Sequence, residues 1–239
     1  MSTIAEIFSA AFWSSYGSLM LKETGNTLVM LGISTFFAYL IGLPLGVLLT
    51  LTGKNGIRPN KPVNQVLGWI INIGRSLPFM ILMCSITGFT RLIVGTYIGV
   101  RGAIVPLVVS AAPFVARMVE SSLSEVDGGV VEAAQSMGAS PLQIVCKVYL
   151  PEAVPSLVLG GSISIITILA YTAIAGAIGA GGLGDLALRY GYQRKIASVN
   201  LVTIILLIVL VQIIQSVFSR LSTKIDKRIT KESPDKKAA

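Results

Sequence analysis

Apolar residues fill this chain in long runs, and polar residues gather in short islands between them. A helix needs about 20 mostly apolar residues to cross a bilayer. Five segments meet that length, at roughly residues 27–52, 66–89, 98–123, 153–176 and 199–218. The second is interrupted by Asn72, Arg75 and Pro78, and the third has Arg101 at its mouth and Pro106 and Pro113 inside. Residues 1–22 differ. Ile4, Phe8, Ala11, Phe12 and Tyr16 recur near helical spacing, but Ser, Glu and Gly break the run, which predicts a helix lying on the membrane surface. The pattern therefore predicts an all-α integral membrane protein with five transmembrane helices. An interfacial segment covers 1–22, a transmembrane domain 23–218 and a basic tail 219–239.

Composition agrees: 53% of residues are hydrophobic and 13% charged, against about 25% charged in a soluble domain. Five spans put the termini on opposite sides, and Lys and Arg favour the cytoplasmic one. With the tail inside, eleven Lys and Arg fall in the inner regions and six in the outer ones. This predicts an N-out, C-in arrangement with the loop between spans three and four in the cytoplasm. The net charge of +8 follows from that distribution, so no nucleic-acid-binding face is expected.

The chain has no His, and Cys84 and Cys146 lie in different segments without CxxC spacing. No metal site or disulfide framework is expected, and both thiols are predicted to be buried. No G-x-x-x-x-G-K-[ST] loop occurs, so no P-loop nucleotide site is expected in this chain. Residues 179–184 satisfy G-x-G-x-x-G, but they follow a membrane span and lack the βαβ setting of a dinucleotide site. They predict a flexible or closely packed turn.

The island between spans three and four predicts two short helices. Asp127 suits an N-cap and Gly138 the left-handed position after the first helix. Ser140, Pro141 and Gln143 then form a capping-box signature for the second. Ala133 and Ala134 are small enough for another surface to approach. Glu132-Ala133-Ala134, Gly138 and Leu150-Pro151 resemble the EAA motif of permease subunits of bacterial ABC importers, with Val148 where the family has Ile. The resemblance implies a coupling helix that docks on a separate ATPase subunit, which uses the ATP and Mg; this chain itself binds no cofactor. The candidate contacts are Glu132, Ala133, Ala134, Gly138, Ser140 and Leu142.

A second polar group, 72–79, lies inside span two. A charge at bilayer depth costs at least about 2.5 kcal/mol, so it faces a partner or water. Pro78 removes a helix hydrogen bond and bends the span. Arg117 and Glu120 are spaced to pair along one helix face, and Arg75 is expected to pair with an acid such as Glu120. The segment Asn72-Ile73-Gly74-Arg75-Ser76-Leu77-Pro78-Phe79, the run 111–120, and Tyr171 followed by the glycine-rich 176–184 are similar to permeases of bacterial methionine importers. The similarity covers roughly residues 23–228.

That resemblance implies two identical permeases in the bacterial cytoplasmic membrane, a pair of ATPase subunits below and an extracytoplasmic substrate-binding lipoprotein above. Methionine, with related amino acids, would enter the cytoplasm by alternating access. Asn72, Ser76, Pro78, Tyr171 and Thr172 are the candidates for the translocation path, and Arg75, Arg117 and Glu120 for structural or gating roles. Gly42 and Gly46 permit close helix approach, either inside one subunit or at a dimer seam. The alternatives are an ABC importer for another small solute and a stand-alone secondary transporter; no internal repeat speaks for the latter.

Overall fold

A computed structural model describes residues 6–225. Among these, the elements are helices. α1 runs Ala10–Thr52, α2 Lys61–Ser76, α3 Phe79–Ser85, α4 Thr87–Val94 and α5 Gly99–Ser124. α6 (Gly128–Ser136) and α7 (Pro141–Ile144) form the loop that follows, and α7 is extended by a π-turn at Val145–Tyr149 and one turn at Leu150–Glu152. α8 (Val154–Ala175) continues through a π-turn at Gly176–Ala180, α9 (Gly182–Leu186) continues through Ala187–Gln193, and α10 spans Ala197–Ile225.

Four of these helices are long and apolar enough to cross a membrane, and the bent pair α2 and α3 makes a fifth crossing if it counts as one span. The bend is larger than one proline kink, because the two helices meet at 98°. Leu77 is extended, and Pro78 sits ahead of α3 as its N-cap rather than inside a helix.

Two expectations need correction. The first is the separate surface helix over residues 1–22. In its described part, Glu6 and Ile7 are helical, the chain breaks at Phe8 and Ser9, and the helix that Ser9 caps then runs from Ala10 without a break to Thr52. At 1.5 Å per residue its 43 residues reach about 65 Å. Phe12 and Met20 pack against Leu183, Leu186, Val199 and Val202, so this segment is covered by α9 and α10. The polar residues that look like a break in sequence are used instead. Thr24 and Thr27 bond back to the carbonyls of Met20 and Glu23, and Glu23 and Thr27 also bond across to the start of α9. Ile4 and most of the basic tail lie outside the described residues. The second correction is the cysteines, both of which are exposed.

The centre of the fold is the pairing of α1 with α5. A Cβ added at Gly42 would sit 2.8 Å from the Ala112 carbonyl oxygen, and one at Gly46 2.5 Å from that of Ala116. The two glycines thus serve packing inside one subunit. In lipid, close packing drives helix association, because tails are as apolar as side chains. Ala38, Val115, Val119, Ile168 and Leu169 are buried in the cluster that this approach creates among α1, α5 and α8.

Candidate functional site

The loop between α5 and α8 folds as its caps dictate. Asp127 accepts a hydrogen bond from the Gly129 amide at 2.6 Å and starts α6. Gly138 takes a φ of +78°. Its amide then donates to Gln135 and that of Ala139 to Ala134, which closes a Schellman turn. Ser140 and Gln143 cap one another's amides at 3.4 and 2.8 Å, so the capping box forms.

Folding separates residues that look equivalent in sequence. Ala134 is buried in the central cluster beside Val131, Ile144 and Val145, and is not available to a partner. Ala133 faces outward. So do Met137, 81% exposed, and Leu142, 73% exposed. Large apolar side chains on a water-facing loop mark an interaction surface when they cluster, and Met137 and Leu142 flank the Schellman turn. Met137 was not evident from the motif.

Glu132 and Gln135 line a cavity of about 620 Å³ with Lys54, Thr50, Glu120 and Tyr149. The cavity shows that the 53–57 loop and α6 share one side of the molecule. Burial raises the Tyr149 phenol above its usual pKa, so it stays neutral at this wall.

The bend between α2 and α3 gathers the second group. Arg117 donates to Glu120 at 2.6 Å, to Asn72 Oδ1 at 2.9 Å and to the Gly68 carbonyl at 3.4 Å. Glu120 is therefore taken by Arg117, which corrects the expected pairing with Arg75; Arg75 ends α2, where a cation complements the helix dipole. Ser76 bonds back to the Asn72 carbonyl at 2.8 Å. Thr172 is buried and donates to the Leu169 carbonyl at 2.7 Å. Tyr171 stacks on Phe79, with ring centroids 4.8 Å apart and planes 7° from parallel. Pro78 thus delivers Phe79 to Tyr171, whereas Asn72 and Thr172 serve helix contacts.

Arg117→Leu should lower the thermal midpoint of the purified protein, since Glu120 and Asn72 each lose a charge-assisted bond worth about 1.5–3 kcal/mol. Arg117→Lys should recover only part of it, because one ammonium cannot reproduce the fork. Equal midpoints for all three proteins would refute the network.

Several helices able to span a membrane, joined by a capped two-helix loop, fit the membrane subunit of a transporter. The chain belongs to the family of binding-protein-dependent transport system inner membrane components, whose match covers residues 42–231. It is accordingly a multi-pass inner-membrane protein and a transport subunit.

The chain is 51% identical over 219 residues to the probable D-methionine transport system permease protein MetI of Vibrio cholerae serotype O1, covering 91% of this chain and 97% of the relative. It is 47% identical to the methionine import system permease protein MetP of Bacillus subtilis, over 76% of this chain and 82% of that one. A solved MetNI methionine ABC transporter in an inward-facing conformation contains a chain that superposes with a TM-score of 0.87 at 46% identity, covering 88% of this chain and 98% of that one.

Proposed function

We propose that this chain is the permease of an ATP-driven importer of methionine. The carrying observation is the similarity to methionine permeases along nearly the whole chain, docking loop and bent span included. In this reading α6 and α7 seat on a separate ATPase through Ala133, Met137 and Leu142, with Glu132, Gly138 and Ser140 shaping the loop. ATP and Mg act on that ATPase. Two copies of the chain line the path, and a substrate-binding protein docks on the opposite face.

The arrangement is N-out and C-in, from eleven Lys and Arg on the α6 side, seven of them in the C-terminal tail, against six on the other side. Thr27 and Thr52 are about 38 Å apart along α1 at 1.5 Å per residue. That length carries the helix across the bilayer from the glycine turn to the docking loop. The α2–α3 bend lies between them. Pro78 and Tyr171 there, with the buried Phe79 stacked on Tyr171, offer an apolar and aromatic wall, which suits a thioether side chain through sulfur–aromatic contact.

Proteoliposomes holding this chain with its ATPase and binding protein are expected to take up methionine only with ATP. Both enantiomers should be supplied, with other amino acids as competitors. Uptake of a different amino acid and none of methionine would refute the substrate while sparing the class. Uptake without an ATPase would refute the class.

A further inference from the structure

Two features stand outside the transport reading above, the glycine motif at 179–184 and the acid at Glu23, and in the structure they meet. Glu23 is 5% exposed and forms no ion pair among the described residues. Its Oε2 accepts from the Gly182 amide at 2.6 Å and from Asn26 Nδ2 at 3.0 Å. One turn further along α1, Thr27 Oγ1 accepts from the Leu183 amide at 2.8 Å. Two successive amides at the start of α9 therefore close on two side chains more than 150 residues away in the chain.

The backbone is shaped for this. Gly179, Gly181 and Gly182 have φ of +97°, +82° and +83°, a region that side chains disfavour. Successive amides in such a turn form a concavity that binds anions. In a nucleotide-binding protein a phosphate fills that concavity; here Glu23 and Thr27 take one amide each, those of Gly182 and Leu183. The seat is full, since a Cβ on Gly182 would lie 2.7 Å from Thr27 Oγ1. A Cβ on Gly184 would lie 2.1 Å from the Ala173 carbonyl oxygen, which pins the turn to α8 as well.

The clamp stands in the half of α1 away from the docking loop. The turn it holds carries Ala180, which packs in one cluster with Met30, Phe79 and Met83, and Tyr171 lies against that cluster. The turn thus borders the cluster that holds the Phe79–Tyr171 stack at the bend.

We propose that Glu23 is a positioning residue for closure of the pathway on the side opposite the ATPase. Its carboxylate seats the 179–184 turn, and the turn sets the Phe79–Tyr171 stack; Glu23 does not touch substrate. The proposal rests on the importer reading.

The test is simultaneous uptake and ATP hydrolysis by the reconstituted transporter carrying E23A, E23Q, T27V or E23A with T27V. E23A should lower uptake at saturating substrate about tenfold, the scale of one lost buried acceptor. Its ATP hydrolysis should stay within about twofold of wild type by the same scale, since the docking loop is untouched. E23Q keeps an acceptor oxygen and should restore most of the uptake. The double variant should be less impaired than the product of the single effects, because both side chains hold one turn.

Wild-type uptake per ATP in E23A would overturn the proposal. So would E23Q as impaired as E23A, which would make the charge rather than the acceptor the working element. Should E23A fail to assemble, amide hydrogen exchange on E23Q and T27V carries the test. Leu183 should exchange faster in T27V, and Gly182 should stay protected in E23Q; unchanged Leu183 exchange would overturn the clamp. The uptake arm uses whatever solute the wild-type complex imports, and the exchange arm needs none. A wrong substrate, or no import at all, is thereby told apart from a wrong clamp.

Discussion

A permease carrying Met137→Asp and Leu142→Asp is expected to lose its ATPase during purification and to import nothing. Both side chains stand out from the loop between α5 and α8, on either side of the Schellman turn at Gly138. Burying one such apolar side chain against a partner is worth about 1.5–3 kcal/mol. Two together contribute about 3–6 kcal/mol, or two to four powers of ten in affinity. Two introduced carboxylates add the cost of burying charge. Folding should survive, because neither side chain belongs to the central cluster. Co-purification of the ATPase with the variant, checked against size-exclusion elution of the permease alone, is the measurement. An ATPase retained at wild-type stoichiometry, together with normal uptake, would remove the docking assignment.

The second large effect is structural. Gly46→Val is expected to prevent accumulation of folded protein in the membrane. The new side chain would begin 2.5 Å from the Ala116 carbonyl oxygen and 2.7 Å from Val119 Cβ. Backbone cannot retreat as a side-chain tip can, so the cost exceeds the usual 1–3 kcal/mol of overpacking. α1 would have to lift from α5 along its length. Gly32→Ala, in the same helix, is the control. Nothing lies within 4 Å of the added Cβ, and alanine improves helix propensity by about 1 kcal/mol. Detergent-extracted yield and thermal midpoint should therefore move in opposite directions for the two variants. Equal yields would show that α1 and α5 do not approach as described.

The transport class of this chain was legible before its fold, and the reason is local. Spans three, four and five read from hydropathy lie close to α5, α8 and α10, since bilayer thickness sets the length of an apolar run. The loop caps were equally legible. Asp127, Gly138, Ser140 and Gln143 act within a few residues of themselves, and each makes its expected bond or backbone turn. Arg117 and Glu120, three apart on one helix, also pair as their spacing requires.

Contacts that cross the chain were not legible. Glu120 could be matched to Arg75 or to Arg117 on charge alone; only the docking of α2 on α5 brings Asn72 and Gly68 to Arg117. Ala133 and Ala134 are one motif in sequence, yet a 100° step around α6 sends one outward and the other into the core. The polar residues near 23–27 looked like the gap between a surface helix and a span. They are the partners of a glycine turn whose own sequence resembled a nucleotide loop.

By itself, then, the sequence determined that this is a membrane protein of transport type, where α5, α8 and α10 lie and how the loop between α5 and α8 is capped. Those features depend on hydrophobic length and on interactions between near neighbours. The tertiary structure alone decided that α1 is one continuous helix, that the second span breaks by 98°, and that Glu23 and Thr27 hold the amides of the glycine turn. Each depends on surfaces distant in sequence, and a buried polar group gives no sign of its partner until folding brings the two together.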